Sequence, residues 1–312
     1  MKANKSHYLL RCTSCNTVLS EKETYTTCTK CNQSVEIEYD YELIRERLNI
    51  QTFRSEKIKA SKYLDFYPII QRKKIVTLDE GGTPLYKCNN LGKRLNLTKI
   101  YVKYEGANPT GAFKDRGTMI ELTKASEMGS RAICVASTGN MAASVSAYSA
   151  KVNIPCYVLV PEGCPIGKLS QTLSYGGRVL QIKGTYNDAA DLAVRLSKHY
   201  GYYLSGDYCF RMEGQKSCGF EIVEQMNWET PKKVIVPMGF GTNISAIWKG
   251  FTEFHQLGLI NSIPEMIGVQ ASDCSPIVSA FRSNKEIEPI MKPQTIASAI
   301  AVGSPSDGPK AL

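Results

Sequence analysis

The chain has 312 residues, 43% of them hydrophobic, enough for about two domains or one large α/β domain with an appendage. Its 38 Lys and Arg exceed 29 Asp and Glu, a formal charge of +9, and residues 54–74 alone hold seven basic and two acidic side chains. That run is interleaved with Tyr63, Phe66, Tyr67 and Pro68 and carries no binding motif, so it reads as a solvated helix and connector and argues against a nucleic-acid partner; no run of 18 apolar residues exists, which argues against a membrane span.

The start is polar and no apolar signal-peptide core follows it. A reducing, cytoplasmic setting is therefore expected, with the eleven cysteines as thiols or metal ligands. Residues 12–31 read Cys12-x-x-Cys15, twelve intervening residues, then Cys28-x-x-Cys31. Two such pairs on tight knuckle turns offer the tetrahedral thiolate set of a closed, structural Zn²⁺ site. Iron with four thiolates is the chemical alternative. Residues 17–19 and 25–27 are expected to form the small hairpin of a zinc ribbon. Four sulfurs leave no open coordination position, so the metal serves folding rather than catalysis.

Residues 41–75 are expected to be helical and then irregular. A turn follows at Glu80-Gly81-Gly82-Thr83-Pro84, and residues 99–105 alternate as a strand entering the loop 106–118. From there strands and helices alternate. Strands are expected at 132–136, 155–160, 178–182, 233–237 and 266–270, and helices at 141–150, 166–175, 187–200, 213–226, 244–257 and 276–282. This spacing means parallel sheets covered by helices. His7, His199 and His255 show no partner pattern and read as surface or packing residues.

Three stretches carry chemistry. Loop 106–113, with Gly106, Pro109 and Gly111, leads into Lys114 at the mouth of a helical pattern, where an ammonium can reach a ligand. An aldehyde cofactor bound by that amine, pyridoxal 5'-phosphate, is the expected ligand. Gly239-Phe240-Gly241-Thr242-Asn243 follows a strand and opens a helix; backbone N–H groups and the helix dipole there suit a phosphate. Ser137-Thr138-Gly139-Asn140 offers hydroxyls, N–H groups and an amide to a carboxylate and a ring oxygen, although an N-cap role would explain it equally.

Residues Asn108 to Gly117 (NPTGAFKDRG) resemble the cofactor-lysine motif of fold-type-II pyridoxal-phosphate enzymes, and more narrowly of the threonine synthase family. Ala136-Ser137-Thr138-Gly139-Asn140, Gly167-Lys168-Leu169-Ser170-Gln171, Arg211-Met212-Glu213-Gly214-Gln215-Lys216, and residues 295–300 with 309–312 agree with it. The resemblance covers about 78–312 and, more loosely, the ribbon. It implies two open parallel-sheet α/β domains with an N-terminal zinc-ribbon appendage: 1–40 as the ribbon, 41–107 with 204–312 as the large domain, and 108–203 as the small one. It implies a lyase that turns O-phospho-L-homoserine and water into L-threonine and phosphate. Lys114 would hold the cofactor as a Schiff base and shuttle protons. Gly239, Gly241, Thr242 and Asn243 would bind its phosphate and Asn140 its ring hydroxyl. Ser137 and Thr138 would face the substrate carboxylate, and Arg211 the leaving phosphate. A homodimer is compatible with all of this.

The sequence departs from the family pattern at Ala112, Met141, the pair Ser205-Gly206, and Phe240, where hydroxyl or amide side chains are usual. Those departures keep two rivals open: β-replacement or dehydration of O-phosphoserine or a similar substrate, as in cysteate synthase, and a non-catalytic protein that kept the fold. The family also continues beyond Pro-Lys-Ala-Leu, with a Ser or Thr that bonds the pyridine nitrogen; here Leu312 is the last residue, leaving a fragment and a naturally short chain as alternatives.

Overall fold

The first strands sort their side chains by alternation. In β1 (Tyr8–Cys12) the odd-facing Leu10 and Cys12 are buried, and β3 (Val35–Tyr39) buries Val35, Ile37 and Tyr39. With β2 (Val18–Leu19) they form an antiparallel sheet in the order β2-β1-β3, with Leu10 opposite both Leu19 and Ile37. The structure, a computed structural model, describes residues 7–312. The hairpin expected between 17–19 and 25–27 is replaced by this arrangement. Leu19 gains a buried partner in Leu10, while Thr27 makes only an isolated bridge to Ser34. Two short helices follow, α1 (Tyr41–Arg47) and α2 (Ile50–Ser55), the second capped by the Asn49 side chain on the N–H of Thr52.

Strands β4 (Leu85–Lys87) and β5 (Tyr101–Lys103) pair antiparallel around α3 (Asn89–Leu95), a helix the sequence reading did not anticipate. Asn96 ends it in the left-handed conformation, φ 53°. Next come α4 (Lys114–Glu127), β6 (Ile133–Ala136), α5 (Asn140–Lys151), β7 (Cys156–Pro161), α6 (Ile166–Ser174), β8 (Arg178–Ile182), α7 (Tyr186–Tyr200) and β9 (Tyr203–Leu204). The strands form a parallel sheet in the order β8-β7-β6-β9. Its centre is the apolar run a helix-covered parallel sheet requires: Ile133, Cys134, Val135, Val158, Leu159 and Val160 are all fully buried. A capping box between Thr185 and Asp188 starts α7, and Gly201 at φ 67° stops it.

The rest comprises α8 (Cys209–Gln215), α9 (Ser217–Gln225), β10 (Lys233–Pro237), α10 (Thr242–Gln256), β11 (Glu265–Val269), α11 (Pro276–Ser283) and α12 (Gly308–Ala311). β10 and β11 are parallel. One helix was expected over 213–226; two are found, broken at Lys216. There Gly250 of α10 approaches so closely that a Cβ would lie 2.4 Å from the Lys216 carbonyl oxygen. The core around α9 and α10 holds Phe220 stacked on Phe254 at 4.2 Å, with Trp228 beside them. Trp248 is half exposed.

The chain divides into two compact units: residues 1–46 with 207–312, and residues 47–206. The expected large domain joined 41–107 to the C-terminal residues, whereas in this division residues 47–107 go with 108–206. A set of bonds, two of them buried, ties this segment to the unit of 47–206. The N–H groups of Ile70 and Gln71 reach the Glu127 carboxylate, the N–H of Val76 reaches the Thr123 hydroxyl, and Tyr148 donates to Glu80, all onto α4 and α5. Likewise the ribbon belongs to the unit of 207–312 rather than standing alone. Among the described residues no helix is long and apolar enough to cross a membrane.

Candidate active site

In the unit of residues 47–206, Lys114 is the first residue of α4. The turn before it closes with the Gly111 N–H donating to Asn108 O at 2.8 Å, and Gly111 takes φ 81°, a conformation glycine adopts without cost. Asp115, fully buried, fastens this loop. Its carboxylate accepts from the Thr110 N–H at 2.7 Å, the Thr110 hydroxyl at 2.6 Å and the Ser144 hydroxyl at 2.6 Å. Gln171 of α6 donates to the Thr110 carbonyl at 2.9 Å. The Lys114 side chain is half-buried, with Nζ 5.0 Å from the centre of the Phe113 ring.

Behind the loop, the Arg116 guanidinium grips Glu105 through Nε at 2.6 Å and Nη2 at 2.8 Å, and Thr83 and Asn108 also donate to that carboxylate. Burial opposes ionisation of Glu105, but the adjacent Arg116 outweighs it and holds the carboxyl down at about 2. A carboxyl lowered on folding stabilises the fold above its unfolded value near 4.5, and that stability is lost as pH falls from there toward 2. Glu105→Gln is expected to cost on the order of 3 kcal/mol at pH 7 and to flatten the acid sensitivity between about pH 4.5 and 2, checked by melting temperatures across that window.

Asn140 begins α5, one turn ahead of Ser144. Since the Ser144 hydroxyl joins Asp115 and lies 2.8 Å from that of Thr118, the starts of α4 and α5 sit side by side. The structure thus brings Lys114 and the Ser137–Asn140 loop to one place. Ser137 and Thr138 are half-buried and Gly139 and Asn140 exposed, with the Ser137 hydroxyl accepting from the Gly139 N–H at 3.3 Å. Ala112 is buried and Met141 half-buried.

In the other unit, β10 runs through Gly239-Phe240-Gly241 into α10. Gly241 caps the helix at φ 96°, and a Cβ there would lie 2.8 Å from the Asp307 carbonyl oxygen, so the loop is pressed onto the segment ahead of α12. The first turn of α10 carries no acidic side chain, which leaves its N–H end suited to an anion. Thr242 donates its hydroxyl to the buried Asp307 carboxylate at 2.6 Å. Burial raises Asp307 above the usual carboxylate range, against the pull of Lys310 3.3 Å away. Arg211 lies fully buried on α8, which packs on α10.

Sequence reasoning missed the residues that hold these groups: Asp115, Gln171, Glu105 and Asp307. The first two stand inside recognised motifs; Asp307 had only its place two residues before Pro309-Lys310 as a signal. It also missed Glu121, whose carboxylate accepts from the Ser205 hydroxyl at 2.8 Å and the Gly206 N–H at 3.0 Å. The Ser205-Gly206 pair therefore ties its segment to α4.

The four ribbon cysteines bring their sulfurs within 4.8 Å of one another, with pairs at 3.4, 3.5 and 3.7 Å. Tetrahedral zinc with bonds of about 2.3 Å separates its sulfurs by about 3.8 Å, so the set fits that ion. The Thr17 hydroxyl holds the Cys15 thiol down at about 6 and the N–H of Cys15 lowers Cys12, whereas Cys31, against its backbone bond with Gln33, is pushed up to about 12 by Cys12 and by burial.

Residues 76–312 match the family described as pyridoxal-phosphate dependent enzyme. A threonine synthase of Methanocaldococcus jannaschii is 48% identical over 307 residues, 97% of this chain and 76% of that protein. One of Methanosarcina acetivorans is 42% identical over 98% of this chain and 75% of its own. Among solved structures, the processed form of threonine deaminase isoform 2 from Solanum lycopersicum shares the fold, with a TM-score of 0.63, 23% identity, and coverage of 74% of this chain and 66% of that one. With a family match over residues 76–312 and relatives 42–48% identical over nearly the whole chain, the chain belongs to the threonine synthase family of pyridoxal-phosphate dependent enzymes.

Proposed function

We propose that the chain is a threonine synthase, releasing phosphate from O-phospho-L-homoserine and adding water to give L-threonine. The observation that carries this is Lys114 fixed at the start of α4 by Asp115, in a chain 48% identical over 97% of its length to a protein of that name. Pyridoxal 5'-phosphate, when bound, supplies an aldehyde for the substrate amine and a ring that delocalises carbanion charge. The residues of the chain do the rest. Lys114 would hold the aldehyde through Nζ, and its amine would be the base that takes the proton from the substrate α-carbon and returns protons to the carbon skeleton. Asn140 donates its amide to the ring hydroxyl oxygen. Gly239, Gly241, Thr242 and Asn243 hold the cofactor phosphate at the start of α10. Ser137 and Thr138 bind the substrate carboxylate, and Arg211 takes the leaving phosphate in a planar fork.

The four cysteines hold Zn²⁺ as a structural ion, in a cytoplasmic enzyme whose described cysteines form no disulfide. One observation favours a second substrate class. Ala112 and Met141 offer no hydroxyl, and Ser205 gives its own to Glu121, so a smaller O-phosphoserine-type substrate, eliminated or replaced at its β-carbon, is the alternative. Phosphate release measured from both substrates decides: a kcat/KM at least about tenfold higher on O-phospho-L-homoserine is expected. The reverse preference selects the alternative, and release from neither overturns catalysis.

A further inference from the structure

The ribbon is built onto the helix that carries Arg211. Helix α8 is short, and the ribbon holds it on both sides of that arginine. Ahead of it, the Cys209 thiol donates to the Tyr25 carbonyl at 3.1 Å, and the Tyr25 ring stacks on Phe210 at 5.6 Å and meets Tyr208 edge-on at 6.5 Å. Behind it, Tyr39 of β3 donates its hydroxyl to Glu213 at 2.7 Å.

Glu213 is the centre of a buried charge group. Lys216 reaches it at 2.6 Å and Glu253 at 2.8 Å; Lys249 reaches it at 2.5 Å and also donates to the carbonyl of Ile37 in β3 at 2.7 Å. The Lys216 ammonium lies 4.1 Å over the Tyr39 ring. Two lysines and two glutamates balance, and β3 supplies a hydroxyl, a carbonyl and a ring face to them. Such a group is stable only when each member keeps its partners.

Both ribbon contacts lie close to the cysteine cluster. Tyr25 stands three residues before Cys28, on a loop closed by the Thr24 hydroxyl on the Thr27 carbonyl and by the Cys28 N–H on the Gln33 carbonyl. Strand β3 begins at Val35, directly opposite Cys12. Closing the four sulfurs around a metal therefore fixes both of the points that grip α8.

We propose that the four-cysteine ribbon is a positioning element of the active site: through Tyr25 and Tyr39 it sets helix α8, and with it the Arg211 guanidinium that receives the anionic end of the substrate. This deepens the reading of a phosphorylated substrate and rests on it. Tyr39 and Tyr25 act through α8 and are positioning residues, not catalytic ones.

The test compares the full-length wild-type protein, Tyr39→Phe, Tyr25→Ala, and wild type stripped of metal by a chelator and then resupplied with Zn²⁺. Hydrogen exchange over residues 209–215 is read without substrate, and the visible cofactor band and steady-state kinetics on O-phospho-L-homoserine are read beside it. Tyr39→Phe keeps the ring over Lys216 and removes only the hydroxyl. It is expected to speed exchange across α8 about tenfold and to raise KM about tenfold, with kcat and the cofactor band within about twofold of wild type. Tyr25→Ala and metal removal are expected to act in the same direction, and Zn²⁺ to reverse the latter. Unchanged α8 exchange in Tyr39→Phe overturns the proposal, as does a uniform gain in exchange across the whole unit, which is the mark of a merely structural ribbon. If the wild type turns over no phosphorylated substrate, the functional reading fails while the exchange result still decides whether the ribbon sets α8.

Discussion

Lys114→Ala is expected to abolish the visible absorbance of protein mixed with pyridoxal 5'-phosphate and to lower phosphate release by about 10³-fold or more, because anchor and proton carrier are lost together. The fold should survive. The Lys114 side chain is half-buried, whereas the loop around it is held by Asp115, Arg116 and Thr110, none of which the substitution touches. Absorbance, phosphate release and a melting curve on the same preparation check all three points. An unchanged visible band would remove Lys114 from the cofactor site.

Lys216→Met is expected to be the most destabilising single change, at about 3–5 kcal/mol, because it strands carboxylates inside the protein. Lys216, Glu213 and Glu253 have side chains between 0% and 1% exposed. Burial works against an ionised Glu213, and Lys216 and Lys249 overcome it and keep that carboxyl below its usual range. Burial raises Glu253 against the same two lysines. With Lys216 gone, Lys249 still serves Glu213, so Glu253 is the group left exposed to desolvation. Lys216→Met combined with Glu253→Gln should therefore recover part of the loss, a non-additivity read from denaturant midpoints of the two singles and the double. Strictly additive effects would show that the two residues are not energetically joined.

The strand–helix rhythm from 132 to 282 was legible because short strand runs rich in apolar residues, buried in β6 and β7 and largely open in β8, β10 and β11, alternate with periodic helices. β8 and β10 have the bounds read from the sequence, and most other elements agree within two residues. What failed has local causes. β9 has two residues, too few for any period, and α3 is mostly exposed, so neither carries a hydrophobic pattern. The single helix expected over 213–226 is broken by a tertiary event, the approach of Gly250, that no local propensity encodes. The hairpin was misplaced because residues 25–27 look like a strand, whereas the Tyr25 ring is turned onto Phe210.

The site divides the same way. The loops that open α4, α5 and α10 were readable as turns into helices, since glycine turns that open helices leave a signature. Their supports were not. Asp115 reaches across to Ser144, 29 positions away, and Thr242 to Asp307 across 65. A carboxylate in sequence does not announce which distant hydroxyl it will bind.

The bond between Tyr39 and Glu213 spans 174 positions of chain and encloses the whole of the other unit. Synthesis runs from one end to the other, so residues 47–206 emerge and can close on themselves before α8 exists. At roughly 5–20 residues per second the interval from Tyr39 to Glu213 is about 10–35 s. For that time β3 has β1 and the rings of His7, Tyr8 and Tyr41 beside it but lacks the cover of α8. With a metal held as proposed, a ribbon that gathered its four thiolates early would carry its own order through the wait, and the timing of that capture would bear on how cleanly the last-made helices find their place.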